Sequence, residues 1–318
     1  MRRKRRAWDF SRMKGAAMDE VVGFIGLGTM GLPMVRNLSA AGVQVLAYDA
    51  NPQAMQDAAG LAGVRYAAHP REVAEASAIL ITCLPNNDAV DAVFRGEEGV
   101  LQGAREGLIT CDFSTVSPDF TQALHSQLQA RGVAHFEAPM LGSKPQSEAG
   151  EVFFILAGGE EAQAGRLKPL LDIVGRMHMY VGPPGTGNKI KLMHNALGAV
   201  NYCAVAESLA VCAANGVDLN TYYEVVCSGG GMAYSNYFER KVPTIIKGDY
   251  SPRFRLALAL KDINMARAVA AQAGVPVPVM EEARQTLEEA VADGYGDEDA
   301  SAVTHVIEKR MGRKISQD

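Results

Sequence analysis

The sequence predicts an α/β fold: a mostly parallel, doubly wound sheet followed by an all-α second domain, the two joined by a long helix. Three observations carry this expectation. Up to about residue 183, apolar runs of strand length alternate with helical patterns, as in a sheet assembled from strand–helix–strand units. After Gly182-Pro-Pro-Gly185 no strand-like run recurs, and helical patterns continue alone to the end. From Asn188 to about Asn215 the pattern is unbroken by proline and apolar over much of its circumference, which makes a helix about 40 Å long. A chain of 318 residues exceeds one ordinary core. The expected organisation is a basic tail over 1–18, an α/β domain over 19–183 and a helical domain over 184–318.

Val21–Ile25 is an apolar run of strand length, and a helical pattern through Ala41 follows a glycine-rich turn, Gly26-Leu27-Gly28-Thr29-Met30-Gly31. Strand, turn and helix in this order are the context of a Rossmann-type dinucleotide fingerprint. Gly26 permits the tight turn, Gly28 lets backbone approach a pyrophosphate, and Gly31 lets the helix pack closely on the strand. The helix N-terminus then offers N–H groups and a positive dipole end to phosphate. The next strand, Val43–Tyr48, ends in Asp49, which lies 18 residues past Gly31, close to the spacing of about 20 at which an acid reaches a ribose. Such a carboxylate accepts from the ribose hydroxyls of NAD and repels the 2′-phosphate of NADP, so NAD is expected, with NADP as the alternative. Asp49 also reads as a cap for the next turn.

Ala78–Leu84 is apolar throughout, as in a strand buried on both faces of a parallel sheet. It ends at Leu84-Pro85-Asn86, on the carboxyl edge where ligands bind in open α/β sheets. Gly107–Phe113 repeats the pattern and ends at Ser114-Thr115; both hydroxyls read as cleft floor or as ordinary caps. Ser117-Pro118-Asp119 supplies an N-cap, an N1 proline and a first-turn acid. Ala134–Pro139 is a short strand, followed by a turn-rich loop, Met140–Ser147, with one cation. Glu151–Gly158 and Met177–Val181 complete the strands.

In the long helix, Lys191, Asn195 and Gly198 fall on one stripe. A cation and an amide followed by a residue without a side chain leave room for a ligand. On spacing alone, Lys191 reads equally as a solvated lysine. Leu219–Cys227 is expected as a helix ending in a flexible joint at Ser228–Gly231. Leu256–Ala273 carries Lys261-Asp262; a helix over Val279–Ala292 follows, and another near Ala300–Arg310 is capped by Asp299.

Composition excludes several classes. A net charge of −5 gives the molecule as a whole no electrostatic footprint for nucleic acid. Five widely spaced cysteines without a CxxC pair read as free thiols of a reducing, cytoplasmic setting. No His/Cys cluster has zinc spacing, so no metal is expected. No run approaches the ~18 uninterrupted apolar residues of a membrane span. The tail Met1-Arg-Arg-Lys-Arg-Arg6 reads as a disordered extension, or as residues upstream of a start at Met18; a polybasic anchor, nucleic-acid arm or targeting signal are its functional alternatives.

Gly23-Phe-Ile-Gly-Leu-Gly-Thr-Met-Gly-Leu-Pro-Met34, with Asn37-Leu38 behind it, closely resembles the opening of the β-hydroxyacid dehydrogenase family. Three later blocks extend the resemblance from about residue 21 to 305: Phe136-Glu-Ala-Pro with Gly142-Ser-Lys144, Gly185-Thr-Gly leading to Lys191 and Asn195, and Phe254 with Lys261-Asp262. The Gly142-Ser143-Lys144 run and the Lys189/Lys191 doublet place it nearest the glyoxylate/succinic semialdehyde reductase branch.

The resemblance implies hydride transfer between a nicotinamide and a short 3-hydroxy or ω-hydroxy acid, or its aldehyde acid. Candidates are 3-hydroxyisobutyrate, tartronate semialdehyde, glyoxylate and succinic semialdehyde. Lys191 matches the catalytic lysine and Asn195 the amide that holds the substrate. Thr115 matches a threonine between nicotinamide and substrate. Lys261 and Asp262 match a pair that closes over the cofactor, and Phe254 a pocket-lining phenylalanine. Gly142, Ser143 and Lys144 belong to the loop that holds the substrate carboxylate. There the usual Val-Ser-Gly-Gly or Val-Ser-Gly-Ser has become Met140-Leu141-Gly142-Ser143, so a hydroxyl-bearing position is Leu141. Backbone N–H groups, Ser143 or Lys144 compensate, or the substrate is bulkier or less anionic. His194 replaces a common asparagine. A homodimer or homotetramer is implied. The rivals are an imine reductase on the same scaffold, which usually lacks the lysine, and a non-catalytic dinucleotide-binding or chromatin-associated module using the basic tail.

Overall fold

A computed structural model describes residues 20–229 and 231–315. The basic tail over 1–18 and Gly230, within the expected joint, lie outside the described residues. Contacts divide the chain into two compact units that meet between Asn188 and Lys189.

In the first unit, strands and helices alternate. They run β1 (Val22–Ile25), α1 (Gly31–Ala40), β2 (Val45–Tyr48), α2 (Pro52–Asp57), β3 (Val64–Tyr66), α3 (Pro70–Ala76), β4 (Ile79–Thr82), α4 (Asn87–Arg95), α5 (Val100–Gly103) and β5 (Ile109–Asp112). Next come α6 (Pro118–Gln129), β6 (Ala134–Glu137), β7 (Met140–Leu141), α7 (Lys144–Glu148), β8 (Val152–Gly158), α8 (Glu161–Ala164), α9 (Lys168–Val174) and β9 (Gly175–Tyr180). The order β3-β2-β1-β4-β5-β6 is parallel throughout. Beyond it β8 runs antiparallel to β6 and β7, and β9 closes the sheet parallel to β8. The inner strands β1, β4 and β5 are buried at every position. Alternate residues feed two apolar layers. Phe24, Phe136 and Phe154 join Met34, Val35 and Leu38 of α1 on one face; Ile25 and Leu80 join Val90 and Phe94 of α4 on the other. Each such side chain contributes roughly 1.5–3 kcal/mol by leaving water.

The sequence pattern did not disclose β3 or β7, because three and two residues respectively are too short to show a period of two. Ser117 stands at the N-cap position of α6 but does not cap it. Its hydroxyl instead accepts from Asn87 Nδ2 at 2.9 Å, while its N–H donates to Asn87 Oδ1 at 3.1 Å. At the β9 border, Met177 and Met179 are each 48% exposed.

The second unit contains the 29-residue α10 (Thr186–Ala214), whose first turn belongs to the first unit. Then follow α11 (Leu219–Ser228), α12 (Asn236–Ile246), α13 (Leu256–Gln272), α14 (Pro278–Ala290), a π-helical turn (Val291–Tyr295), a 3-10 turn (Ala300–Val303) and α15 (Thr304–Met311). Among its described residues the only β pairing is an isolated bridge between Arg255 and Asp299. By length and composition alone α10 meets the threshold for a membrane span, with a mean hydropathy of 1.5. Lys189, Lys191 and Glu207 interrupt the stretch, so it forms no unbroken apolar run. Leu192, Ala196, Ala199 and Ala206 sit in a buried cluster with α13 and α14, and 33% of the apolar window is buried. The sequence pattern also missed α12, since Pro243 lies inside it. That helix is held by Phe238, Val242, Ile245 and Ile246, all buried, and by Ser235, which caps the N–H of Phe238 at 3.1 Å. Asp299 caps the following turn as expected: it accepts from Ser301 N–H at 3.1 Å, and also from the N–H groups of Arg253 and Phe254 and from Lys241 Nζ at 2.6 Å.

Candidate active site

The glycine turn has the geometry its three glycines require. Gly26 adopts φ 102°, and a Cβ there would stand 2.3 Å from Cys83 O. At Gly31 a Cβ would meet Gly26 O at 1.9 Å, so the start of α1 lies against the end of β1 as no other residue would allow. Around Gly28 nothing lies within 4 Å of the same point, and the backbone there is open to a ligand. The first turn of α1 has no capping side chain and no acid. Leu27, Gly28, Thr29 and Met30 thus frame an uncapped, positive helix end.

Asp49 stands at the carboxyl end of β2. Its Oδ2 accepts the N–H of Leu27 at 2.6 Å and its Oδ1 the N–H of Asn51 at 2.7 Å. It therefore caps the next turn and reaches the glycine turn at once, and each oxygen keeps a second lone pair for a hydroxyl donor. The neighbouring strand ends are stitched together. Leu84 N–H, just before Pro85, donates to Ser114 Oγ at 2.9 Å, and Asp112 Oδ1 accepts from Thr82 Oγ1 and Ser114 N–H. Ser114 thus ties β4 to β5 instead of capping a helix. Thr115 is half-buried beside Val116, whose N–H donates to Asn188 Oδ1 at 3.2 Å.

The loop after β6 lies on the same carboxyl edge. Gly142 takes φ 146°. Ser143 directs both its N–H and its hydroxyl to Gln146 Oε1, at 2.8 and 2.7 Å. Lys144 is exposed, with Glu148 3.8 Å away. Ser147 fastens the loop to the glycine turn through a 2.7 Å hydrogen bond from Oγ to Met30 O, and Asn37 Nδ2 donates to Ser147 O at 2.9 Å.

Two residues that the sequence pattern passed over anchor the start of α10. Glu137, the last residue of β6, is buried, and it accepts from Gly187 N–H at 2.9 Å, Asn188 N–H at 3.2 Å and Asn188 Nδ2 at 2.5 Å. Burial pushes its carboxyl above the usual range, and these donors oppose the push. Asn188 also donates to Thr121 Oγ1 at 3.2 Å. The signal was present as an acid ending a strand whose neighbouring residues are buried.

In the second unit, α10 and α13 gather four of the expected residues. Asn195 Nδ2 donates to Asp262 Oδ2 at 2.6 Å, and Lys261 Nζ lies 3.2 Å from Asp262 Oδ1. His194 Nδ1 and Asn195 Oδ1 are 3.1 Å apart. The Lys191 amine shares this neighbourhood electrostatically. Burial lowers its pKa most, Asp262 raises it and Lys261 lowers it further, leaving it at about 8 instead of 10.5. Such an amine exchanges protons near neutrality, as general acid–base chemistry requires. Phe254 packs on the same buried cluster as Leu192 and Ala196, with its N–H on Asp299. The exposed Lys189 has no part in this group.

Two family models divide the chain as its fold does. The NAD binding domain of 6-phosphogluconate dehydrogenase matches residues 21–182. The NAD-binding domain of NADP-dependent 3-hydroxyisobutyrate dehydrogenase matches residues 185–307. The chain is 34% identical to 2-(hydroxymethyl)glutarate dehydrogenase of Eubacterium barkeri, over 93% of this chain and 97% of that protein.

The chain belongs to the β-hydroxyacid dehydrogenase family.

A second member, 3-sulfolactaldehyde reductase of Escherichia coli, is 32% identical over 92% of this chain and 97% of its own length. The crystal structure of 3-hydroxyisobutyrate dehydrogenase from Salmonella typhimurium superposes with a TM-score of 0.80 at 31% identity, covering 91% of this chain and all of that one. This β-hydroxyacid dehydrogenase is accordingly an NAD(P)-dependent oxidoreductase acting on CH–OH groups of small hydroxy acids.

Proposed function

We propose that the protein interconverts a short-chain 3-hydroxy or ω-hydroxy acid and its aldehyde acid, with Lys191 as the proton donor and acceptor. The observation that carries this reading is the polar group on α10 and α13, with Asn195 Nδ2 on Asp262 Oδ2 at 2.6 Å and Lys261 Nζ 3.2 Å from Asp262 Oδ1. Burial beside it lowers the Lys191 amine's pKa to about 8. The nicotinamide, when bound, supplies or accepts the hydride. In reduction the Lys191 ammonium hydrogen-bonds the carbonyl oxygen, offsets the charge that develops there and delivers the proton. In oxidation the neutral amine takes the hydroxyl proton. Asp262 fixes Asn195 through one N–H, leaving its second N–H for the substrate oxygen. Gly26, Leu27, Gly28, Thr29, Met30 and Gly31 hold the pyrophosphate, with Leu84, Pro85, Thr115 and Lys261 along the rest of the cofactor. Asp49, with two lone pairs still to fill, favours the ribose hydroxyls of NAD over a 2′-phosphate. Gly142, Ser143, Lys144, Phe254 and Asp262 serve the substrate.

The relatives act on 2-(hydroxymethyl)glutarate, 3-sulfolactaldehyde and 3-hydroxyisobutyrate, all of which carry a primary alcohol or aldehyde beside an acid group. We place this chain's substrate in that class and its site of action in the cytoplasm. Ile190, Leu197 and Val211 are 43%, 65% and 62% exposed, and their spacing puts them on one face of α10. A second copy of the chain covering that face gives the expected homodimer or homotetramer.

The test is a panel of short hydroxy acids, aldehyde acids and cyclic imines with NAD(H) and NADP(H). Turnover is expected on the acids with NAD(H), and Lys191→Ala should lower kcat by about a hundred- to ten-thousand-fold while still binding NADH. Near-full activity of that variant removes Lys191 from the reaction, and preferential turnover of imines replaces the carbonyl reading.

A further inference from the structure

Gly198 opens a space on α10 that the site described so far leaves unused. At about 100° per residue, Lys191, Asn195, Gly198 and Tyr202 fall within a sector of about 60°. Tyr202 takes up part of that space. The three atoms nearest a Cβ at 198 would all be its own: the hydroxyl oxygen at 3.4 Å, Cζ at 3.7 Å and Cε1 at 3.8 Å. The phenol thus leans toward the start of the helix, as long helical side chains do. Its hydroxyl lies level with Gly198, roughly 5 Å along the axis from Asn195 by the rise of ~1.5 Å per residue. The polar stripe of α10 therefore runs amine, amide, phenol.

The Tyr202 ring packs 4.5 Å from that of Tyr237 in α12, whose hydroxyl is buried and has no hydrogen-bond partner. Among the described residues no group hydrogen-bonds to the Tyr202 hydroxyl either. The carboxylates nearby are already engaged. Asp262 accepts from Asn195 and faces Lys261, while Asp299 accepts from Lys241, Ser301 and the N–H groups of Arg253 and Phe254. What this group leaves free is a pair of phenols. Burial above all, with the charge of Asp299 behind it, pushes both above the ordinary pKa and keeps them protonated donors. Three amines, Lys191, Lys241 and Lys261, stand against the two carboxylates, so an added anion meets no net repulsion.

We propose that Tyr202, backed by Tyr237, is a specificity-determining residue that donates a hydrogen bond to a second acid group on the substrate's branch. The preferred substrate is then a hydroxy acid (or its aldehyde) with two carboxylates, the second a few carbons from the carbon that exchanges hydride. A chain of that length spans the distance from the Asn195 level to the Tyr202 hydroxyl. An alkyl end in this place would leave the phenols without an acceptor and strip them of water, whereas a carboxylate oxygen accepts from them. The inference rests on the hydroxy-acid reading above and narrows it.

Two compounds that differ at one end decide it: 2-(hydroxymethyl)glutarate, and 2-(hydroxymethyl)pentanoate, which has a methyl group in place of the distal carboxylate. The readout is the ratio of their kcat/KM values with NAD, measured on the full chain. Wild type should favour the glutarate by about ten- to a hundredfold, the effect of one hydrogen bond to a charged group. Tyr202→Phe keeps the ring and removes the hydroxyl. It should bring the ratio to within about threefold of one by raising KM for the glutarate, with the pentanoate values kept within about threefold of wild type. A purely structural Tyr202 would instead lower both compounds alike, and NADH binding by both proteins reports folding. The wild-type ratio is a test by itself: a value at or below one overturns the assignment, as does a ratio that Tyr202→Phe leaves unchanged. Either result leaves the hydroxy-acid reading standing. If no hydroxy or aldehyde acid turns over while NADH still binds, both fall together.

Discussion

Replacing Glu137 by alanine should unfold the first unit well below its normal midpoint. The carboxylate is 1% exposed and holds three donors at the start of α10, and one of their owners, Asn188, is 0% exposed. Alanine leaves the N–H groups of Gly187 and Asn188 and the Asn188 amide without that acceptor, each at about 1–3 kcal/mol when water cannot replace it. Against this, the variant no longer buries a charge, the effect that raises the carboxyl's pKa. The net loss should be about 3–5 kcal/mol, the cost of three unpaired neutral donors less that relief. At about 2–4 °C per kcal/mol for a unit of this size, the midpoint should fall on the order of 10 °C. Differential scanning of the full chain, with and without NADH to mark the cofactor-binding transition, reads this directly. A second variant fixes the sign of the electrostatics. Because the folded carboxyl titrates higher than the unfolded one, the native state holds more protons between the two values. Stability from this group therefore declines as pH rises through the folded pKa. Glu137→Gln should remove that decline. A midpoint for Glu137→Ala within about 2 °C of wild type, together with an unchanged pH slope in Glu137→Gln, would refute the view that this carboxylate anchors the helix.

Further expectations concern the site and its supports. Oxidation should rise with pH through an apparent pKa near 8, the value at Lys191, while reduction falls over the same interval; an inflection near 10 would mean the amine is not desolvated. Gly31→Ala should abolish NADH binding measured by fluorescence, since its methyl would sit 1.9 Å from Gly26 O, and retained affinity would dismiss the close approach as the reason for glycine. Asp49→Ser should lower the preference for NAD over NADP by about tenfold or more, read as a ratio of kcat/KM values; an unchanged ratio assigns Asp49 to turn formation alone. Asp299 is buried, which works against its charge, yet hydrogen bonding and attraction from Lys241 and the Ser301 contacts bring its pKa below the ordinary value. Its contribution is present above the unfolded pKa and lost as pH falls through the folded one. Lys241→Met should lower the stability of the second unit at neutral pH and weaken its acid dependence in a circular-dichroism titration, and an identical acid limb would exclude the pair.

Where the sequence was legible, one local rule sufficed. Strand, glycine turn and acid at a fixed distance read as a dinucleotide site because each glycine answers a separate steric demand, and Gly26 and Gly31 meet those demands in the fold. Long apolar runs read as inner strands because both faces are covered. Legibility failed where tertiary contacts overrule local preference. The span of α12 drew no helical reading, since Pro243 lies within it, yet four buried apolar side chains hold the helix through the proline. Ser117 promised a cap, but Asn87 engages its hydroxyl across 30 positions. Glu137 and Asn188 act together although 51 residues separate them, and no spacing rule links a strand end to a helix start so far away. Lys191 was ambiguous for the same reason: a lysine on a helix face differs from a solvated one only through burial and through charges brought in from α13.

The outer border of β9 has a practical corollary for handling the protein. A strand paired on one side only invites addition of a foreign strand, and this one displays two thioethers, Met177 and Met179, to the medium. Ageing in air should convert them to sulfoxides early, trading greasy tips for polar ones along the flank where self-association would nucleate. Mild oxidation of a stored sample should thus slow its clouding before it touches turnover.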